Sequence, residues 1–63
     1  MTPHEAMQRL RREGWSERPG KGSHVVFRKD GQRVVVSQRA GDIPKGTLRS
    51  ICAQAVWDYP PHR

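Results

Sequence analysis

His24-Val25-Val26-Phe27-Arg28-Lys29, then Asp30-Gly31, then Gln32-Arg33-Val34-Val35-Val36-Ser37 is the stretch whose reading decides the fold. Two runs rich in β-branched residues flank a dipeptide suited to a two-residue hairpin turn. The pattern predicts strands over 24–29 and 32–37. Side chains alternate along a strand, so Val25 and Phe27 share one face and His24, Val26 and Arg28 the other. Phe27 is the largest apolar group here, which makes its side the core side. His24 and Arg28 then point toward water or a ligand.

Outward from the hairpin, Pro19-Gly20-Lys21-Gly22-Ser23 reads as a turn, and Trp15 to Arg18 as a short strand anchored by Trp15 and ended at Pro19. Thr2-Pro3-His4-Glu5 is a helix start: Thr2 caps, Pro3 suits the first helical position, and Glu5 completes a capping box. Ala6, Met7 and Leu10 follow at helical spacing, and Gly14 stops a helix predicted over Pro3 to Glu13. Downstream, Gln38 to Ile43 is a loop, and Pro44-Lys45-Gly46-Thr47 opens a second helix. Its Leu48, Ile51, Cys52 and Ala55 recur at i, i+3, i+4 and i+7. The predicted fold is α+β in the order α-β-β-β-α. A three-stranded antiparallel sheet carries both helices on one face and leaves the other open. Residues 1–56 form the single domain and 57–63 a C-terminal tail. The expected core is Met7, Leu10, Trp15, Phe27, Val34, Val36, Leu48, Ile51 and Cys52.

Size and charge restrict the function. A chain of 63 residues buries only about 60% of its unfolded surface, so one thin core and an open site are all it can build. Twelve Lys and Arg against six Asp and Glu give a net charge of +6, and nine of the twelve are Arg. Arginine suits bidentate contacts with phosphate, and a small basic domain implies a polyanionic partner, nucleic acid first. The lone Cys52 excludes an intrachain disulfide, and His4, His24 and His62 lack the spacing of a structural zinc site. No apolar run approaches the length of a membrane span, and Met1 to Glu5 has no signal-peptide core. The expectation is a soluble, cytoplasmic protein without a metal or cofactor.

RNA carries its own nucleophile, the 2′-hydroxyl. Cleaving it without metal needs a base for that proton, an acid for the leaving 5′-oxygen and positive groups on the phosphate; imidazole and Arg or Lys suit these roles, and beside His24 no second proton-transfer residue is evident. His24 is the only histidine expected on a folded strand. Gly20, Lys21, Gly22 and Ser23 precede it, and successive N–H groups in such a turn can cradle an anion. His24 and Arg28 lie about 13 Å apart along the strand, a span that neighbouring phosphates can bridge. Blander readings stand beside these. Arg28, Arg33 and Arg39 also suit a merely solvated surface, Cys52 and Trp15 suit the core, and His4 and His62 look incidental. Trp57 and Tyr59 suit either a sealed core edge or a partner contact.

Gly22-Ser23-His24-Val25-Val26-Phe27-Arg28, Asp30-Gly31, Arg33-Val34-Val35-Val36 and Gly46-Thr47-Leu48-Arg49-Ser50-Ile51 together resemble the HicA (YcfA-like) toxins of type II toxin–antitoxin systems. Gly14-Trp15 matches the Gly-aromatic pair that ends the first helix in that family. The resemblance covers about Pro3 to Ala55. It implies a double-stranded-RNA-binding-domain-like fold and metal-independent cleavage of mRNA, with His24 as the catalytic residue. It also implies a cognate HicB-type antitoxin that covers the active face, the toxin alone being monomeric. The expected site is thus His24 for proton transfer, with Lys21, Gly22, Ser23, Arg28, Lys29 and Arg39 on the RNA. Two stretches depart from the family. Val36-Ser37-Gln38-Arg39 stands where V-P-x-H is common, leaving Arg39 as a phosphate contact. Val56-Trp57-Asp58-Tyr59-Pro60-Pro61 differs from the usual A-G-L ending. A non-catalytic RNA-binding module of the same fold is the alternative, and a protein-interaction module whose basic face meets an acidic partner is the third reading.

Overall fold

Five elements follow one another in the computed structural model, which describes residues 1–62: α1 (Pro3–Arg12), β1 (Ser16–Pro19), β2 (His24–Lys29), β3 (Gln32–Ser37) and α2 (Lys45–Ala55). The strands form one antiparallel sheet in the order β1-β2-β3. This is the α+β architecture expected from the sequence, with β2, β3 and their hairpin at the predicted positions. Asp30 and Gly31 both take positive φ (49° and 79°), the signature of the type I′ turn.

The α1 start is built as the sequence implies. Thr2 Oγ1 accepts from the Glu5 N–H at 3.1 Å, and Glu5 Oε1 accepts from the Thr2 N–H at 2.9 Å. Its end differs slightly from expectation. Trp15 does not open β1, because its N–H bonds the Leu10 carbonyl at 3.1 Å while the Gly14 N–H bonds Arg11 at 3.1 Å. These two bonds make a Schellman cap, so Trp15 belongs to the helix-ending turn and packs back toward Leu10. The strand therefore begins at Ser16.

One side of the sheet meets both helices. Val25, Phe27, Val34 and Val36 pack there with Ala6, Met7 and Leu10 of α1 and with Leu48, Ile51, Cys52 and Ala55 of α2. Every expected core residue is buried. Ile43 and Trp57 join them. The sequence pattern places Trp57 in the tail, yet it lies in the core, and its Nε1 donates to Glu13 Oε1 at 2.8 Å. Beyond it, Arg9 Nη1 donates to the His62 carbonyl at 2.8 Å. Arg63, the last residue of the expected tail, lies outside the described residues. Among the described residues, no helix is long and apolar enough to cross a membrane.

Candidate active site

Register alone assembles the open face. β2 pairs with β3 so that His24 faces Ser37, Val26 faces Val35, and Arg28 faces Arg33. β1 adds Arg18 beside Val26 and Ser16 beside Arg28. No helix covers these side chains. His24, Arg18, Arg28 and Arg33 are exposed, and Val26 and Val35 half-buried between them. Arg28 directly opposite Arg33 is a like-charge pair, which costs stability in a sheet unless something negative lies over it.

His24 is held by the turn that precedes it. Its Nδ1 sits 2.9 Å from the Lys21 carbonyl oxygen. A carbonyl only accepts, so Nδ1 carries a proton, and the tautomer this bond selects has its lone pair at Nε2. The backbone around it is fixed by bonds from the Gly20 N–H to the His24 carbonyl (2.8 Å) and from the His24 N–H to the Lys21 carbonyl (3.2 Å). Gly20 is there for space: a Cβ on it would lie 3.0 Å from the His24 carbonyl oxygen and 3.3 Å from the His24 Cβ.

His24 borders an open groove of about 290 Å³ between β3 and the start of α2. Ser37, Arg39, Asp42 and Thr47 supply its polar lining. Pro44, the N-cap of α2, also lines it and makes no side-chain cap bond. The first N–H groups of α2 thus end at the groove with no side-chain cap among the described residues, and a helix start favours negative charge. Among the described residues, no three or more His, Cys, Asp or Glu side chains are grouped to hold a metal ion.

The expected site residues are brought together only in part. His24, Lys21, Gly22 and Ser23 are contiguous at the turn, and Arg39 stands at the groove. Arg28 lies on the same face as His24 toward the opposite end of β2. Lys29 is not with them. Alternation puts it on the helix side, and its Nζ donates to the Glu13 carbonyl at 2.6 Å. Ser37, Thr47 and Arg18 were not picked out by sequence reasoning. A register signal for Ser37 was present: a two-residue turn at 30–31 fixes 24 opposite 37. His4 contacts Gln8 on the exposed side of α1, consistent with an incidental role. Cys52 is buried in the core, and burial pushes its thiol up against a smaller opposing pull from Arg9. That is the reverse of what a nucleophilic cysteine needs.

Comparison with known proteins adds the biological setting. A family model describing the HicA toxin of bacterial toxin–antitoxin systems matches residues 4–57 of this chain. The chain belongs to the HicA toxin family. It is accordingly the toxin of a toxin–antitoxin pair, in a family whose members are generally ribonucleases, and it has a cognate antitoxin as partner. The HicA match ends at Trp57, the residue whose indole closes the core against α1. No curated protein matches the chain significantly.

Proposed function

We propose that this HicA-family toxin is a metal-independent mRNA endoribonuclease of the cytoplasm, monomeric until a HicB-type antitoxin neutralises it, and that His24 moves the proton. The observation that carries this reading is the bond from His24 Nδ1 to the Lys21 carbonyl, which leaves an accessible basic Nε2 beside an open groove. Nε2 takes the proton of an RNA 2′-hydroxyl. The 2′-oxygen attacks the adjacent phosphorus, the bond to the 5′-oxygen breaks, and that oxygen takes a proton from solvent admitted by the groove. The products are a 2′,3′-cyclic phosphate and a 5′-hydroxyl. Arg39 at the groove and the α2 N–H groups stabilise charge on the phosphate oxygens. Lys21, Arg28, Arg33 and Arg18 hold neighbouring phosphates along the open face.

The test is cleavage of messenger RNA in EDTA by the purified chain. His24→Ala is expected to keep its fold, because the ring is exposed, and to lose roughly 10²–10⁴-fold in cleavage rate. Equal rates in both proteins reject the role of His24. RNA binding by both without cleavage by either establishes the non-catalytic module instead.

A further inference from the structure

The two edges of the sheet are guarded unequally. An exposed strand edge is a template for another strand, and proteins blunt it with short length, charge or proline. β1 has all three: four residues, Glu17 paired with Arg11 at 2.7 Å, and Pro19 at its end. β3 has six residues, no proline, and Arg33 as its only charge.

The hairpin determines which backbone groups of β3 face outward. Lys29 and Gln32 flank the two-residue turn and form its closely spaced hydrogen-bonded pair. Alternation in an antiparallel ladder then aims Gln32, Val34 and Val36 at β2, and Arg33, Val35 and Ser37 away from it. The bond from the Gln38 N–H to the Ser23 carbonyl, 2.9 Å, continues the same parity. Of the outward groups, the Ser37 carbonyl accepts from the Arg39 N–H at 2.9 Å. Among the described residues, no turn or loop backbone bond takes the N–H and C=O of Arg33 and Val35 or the N–H of Ser37. The groove beside His24 lies along this edge, with Val35, Val36 and Ser37 on one wall and Pro44 and Thr47 on the other.

We infer that the cognate antitoxin neutralises this toxin by laying an extended, acidic segment along the outer edge of β3 as a fourth strand. Cover of the active face follows from the family resemblance; the edge of β3 supplies the means, with the segment filling the groove beside His24. The inference rests on the toxin–antitoxin assignment and not on the nuclease chemistry of His24. Three observations choose the occupant. Only a polypeptide can continue a ladder of N–H and C=O groups, which excludes RNA from these contacts. The chain carries +6, and Arg33 and Arg39 along the edge outnumber Asp42 at the groove, so acidic side chains complement it. A second copy of the chain would bring +6 against +6 along the same strand.

Amide hydrogen exchange on the isotopically labelled full chain, with and without its purified antitoxin, tests the inference. In the free protein the Arg33, Val35 and Ser37 amides should exchange far faster than those of Val34 and Val36. Antitoxin should slow those three by about 100-fold or more, as a newly formed ladder does. A complex in which they stay fast overturns strand addition alone. Failure to form any complex overturns the antitoxin partnership and, with it, the docking mode. Val35→Pro removes an outward donor while sparing the ladder to β2, and is expected to weaken binding about 10-fold or more. Unchanged affinity in a variant whose spectrum is native overturns the inference. If that variant does not fold, exchange in the unaltered chain decides.

Discussion

Val56 holds φ 59° at the end of α2, where α1 ends with Gly14 at φ 86°. In both places the next residue is a tryptophan whose N–H reaches back to the helix: Trp15 to Leu10, and Trp57 to Cys52 at 2.8 Å. The two caps are the same device built with different residues. Left-handed backbone costs an L-residue about 1–2 kcal/mol, and a β-branched one is an outlier there. Val56 is 81% exposed, so its side chain returns little burial for that strain. Val56→Gly is therefore expected to stabilise the fold by about 1 kcal/mol after glycine's own entropy cost. In a domain of this size that raises Tm by about 4–8 °C, which a thermal melt reads directly. An unchanged or lower Tm would mean that the valine contributes packing absent from the cap geometry. The same residue explains a gap in what the sequence discloses. Gly14 is legible as a stop, whereas a valine in the left-handed region is not, so the anchored turn around Trp57 looks like the start of a loose tail.

At the level of elements, α1 and the segment after α2 are joined through Glu13. Its Oε1 accepts from the Trp57 indole, its Oε2 accepts from Arg9 Nε at 3.0 Å, and the Arg9 guanidinium lies over the Trp57 ring, 4.3 Å from its centroid. Burial pushes the Glu13 carboxyl up, but the bonds from Trp57 and Arg9 and the charges of Arg9 and Lys29 outweigh it and hold the group below its ordinary value of 4.5. The folded state thus prefers the carboxylate more than the unfolded chain does. This stabilisation is complete above about pH 4.5 and is lost as pH falls through the lower folded value. Glu17, held down chiefly by its bond from Arg11, acts in the same direction. Chemical denaturation between pH 7 and pH 3 should show stability falling with acid. Glu13→Gln should flatten part of that fall, and Trp57→Phe should do so while costing about 1 kcal/mol at pH 7 for the lost bond to a partly solvated carboxylate. An identical acid slope in Glu13→Gln would assign the fall to the other carboxylates. Elements of this molecule are legible where local chemistry specifies them: the Thr2–Glu5 box, the Asp30-Gly31 turn, and the α2 stripe all give their positions from short-range rules. The Glu13–Trp57 clamp spans 44 positions, and the groove depends on where the 38–43 loop returns α2 against β3. Neither leaves a periodic trace in the chain. The face presented by His24 was legible because alternation fixes it, whereas the partner wall of its groove was not.

Across the whole molecule, charge is sorted by side. Glu13 takes Arg9, Glu17 takes Arg11, and Tyr59 lies under Arg49, 4.7 Å from the ring centroid, all on or around the helices. Lys29 is turned to the same side. Among the described residues, no salt bridge engages Arg18, Lys21, Arg28, Arg33 or Arg39, which are exposed on the open face, its leading turn and the groove. Glu13 and Glu17 thus offset charge on the helix side, and these five cations outnumber Asp42 at the groove, which leaves a net positive surface around His24. Such a surface binds a polyanion by releasing its counterions, so affinity reports how many of these cations meet phosphates. If all five engage a single RNA strand, log K falls with log salt at a slope of about −3.5, and raising salt fourfold weakens binding about 100-fold. Removing one of them, as in Arg28→Ala, should make the slope about 0.7 shallower, while Arg12→Ala on α1 should leave it unchanged. His24→Ala in place of the unaltered chain keeps the RNA whole during the titration. A slope near −1, or equal effects from the Arg28 and Arg12 substitutions, would show that RNA does not follow the open face and would confine its contacts to the groove beside His24.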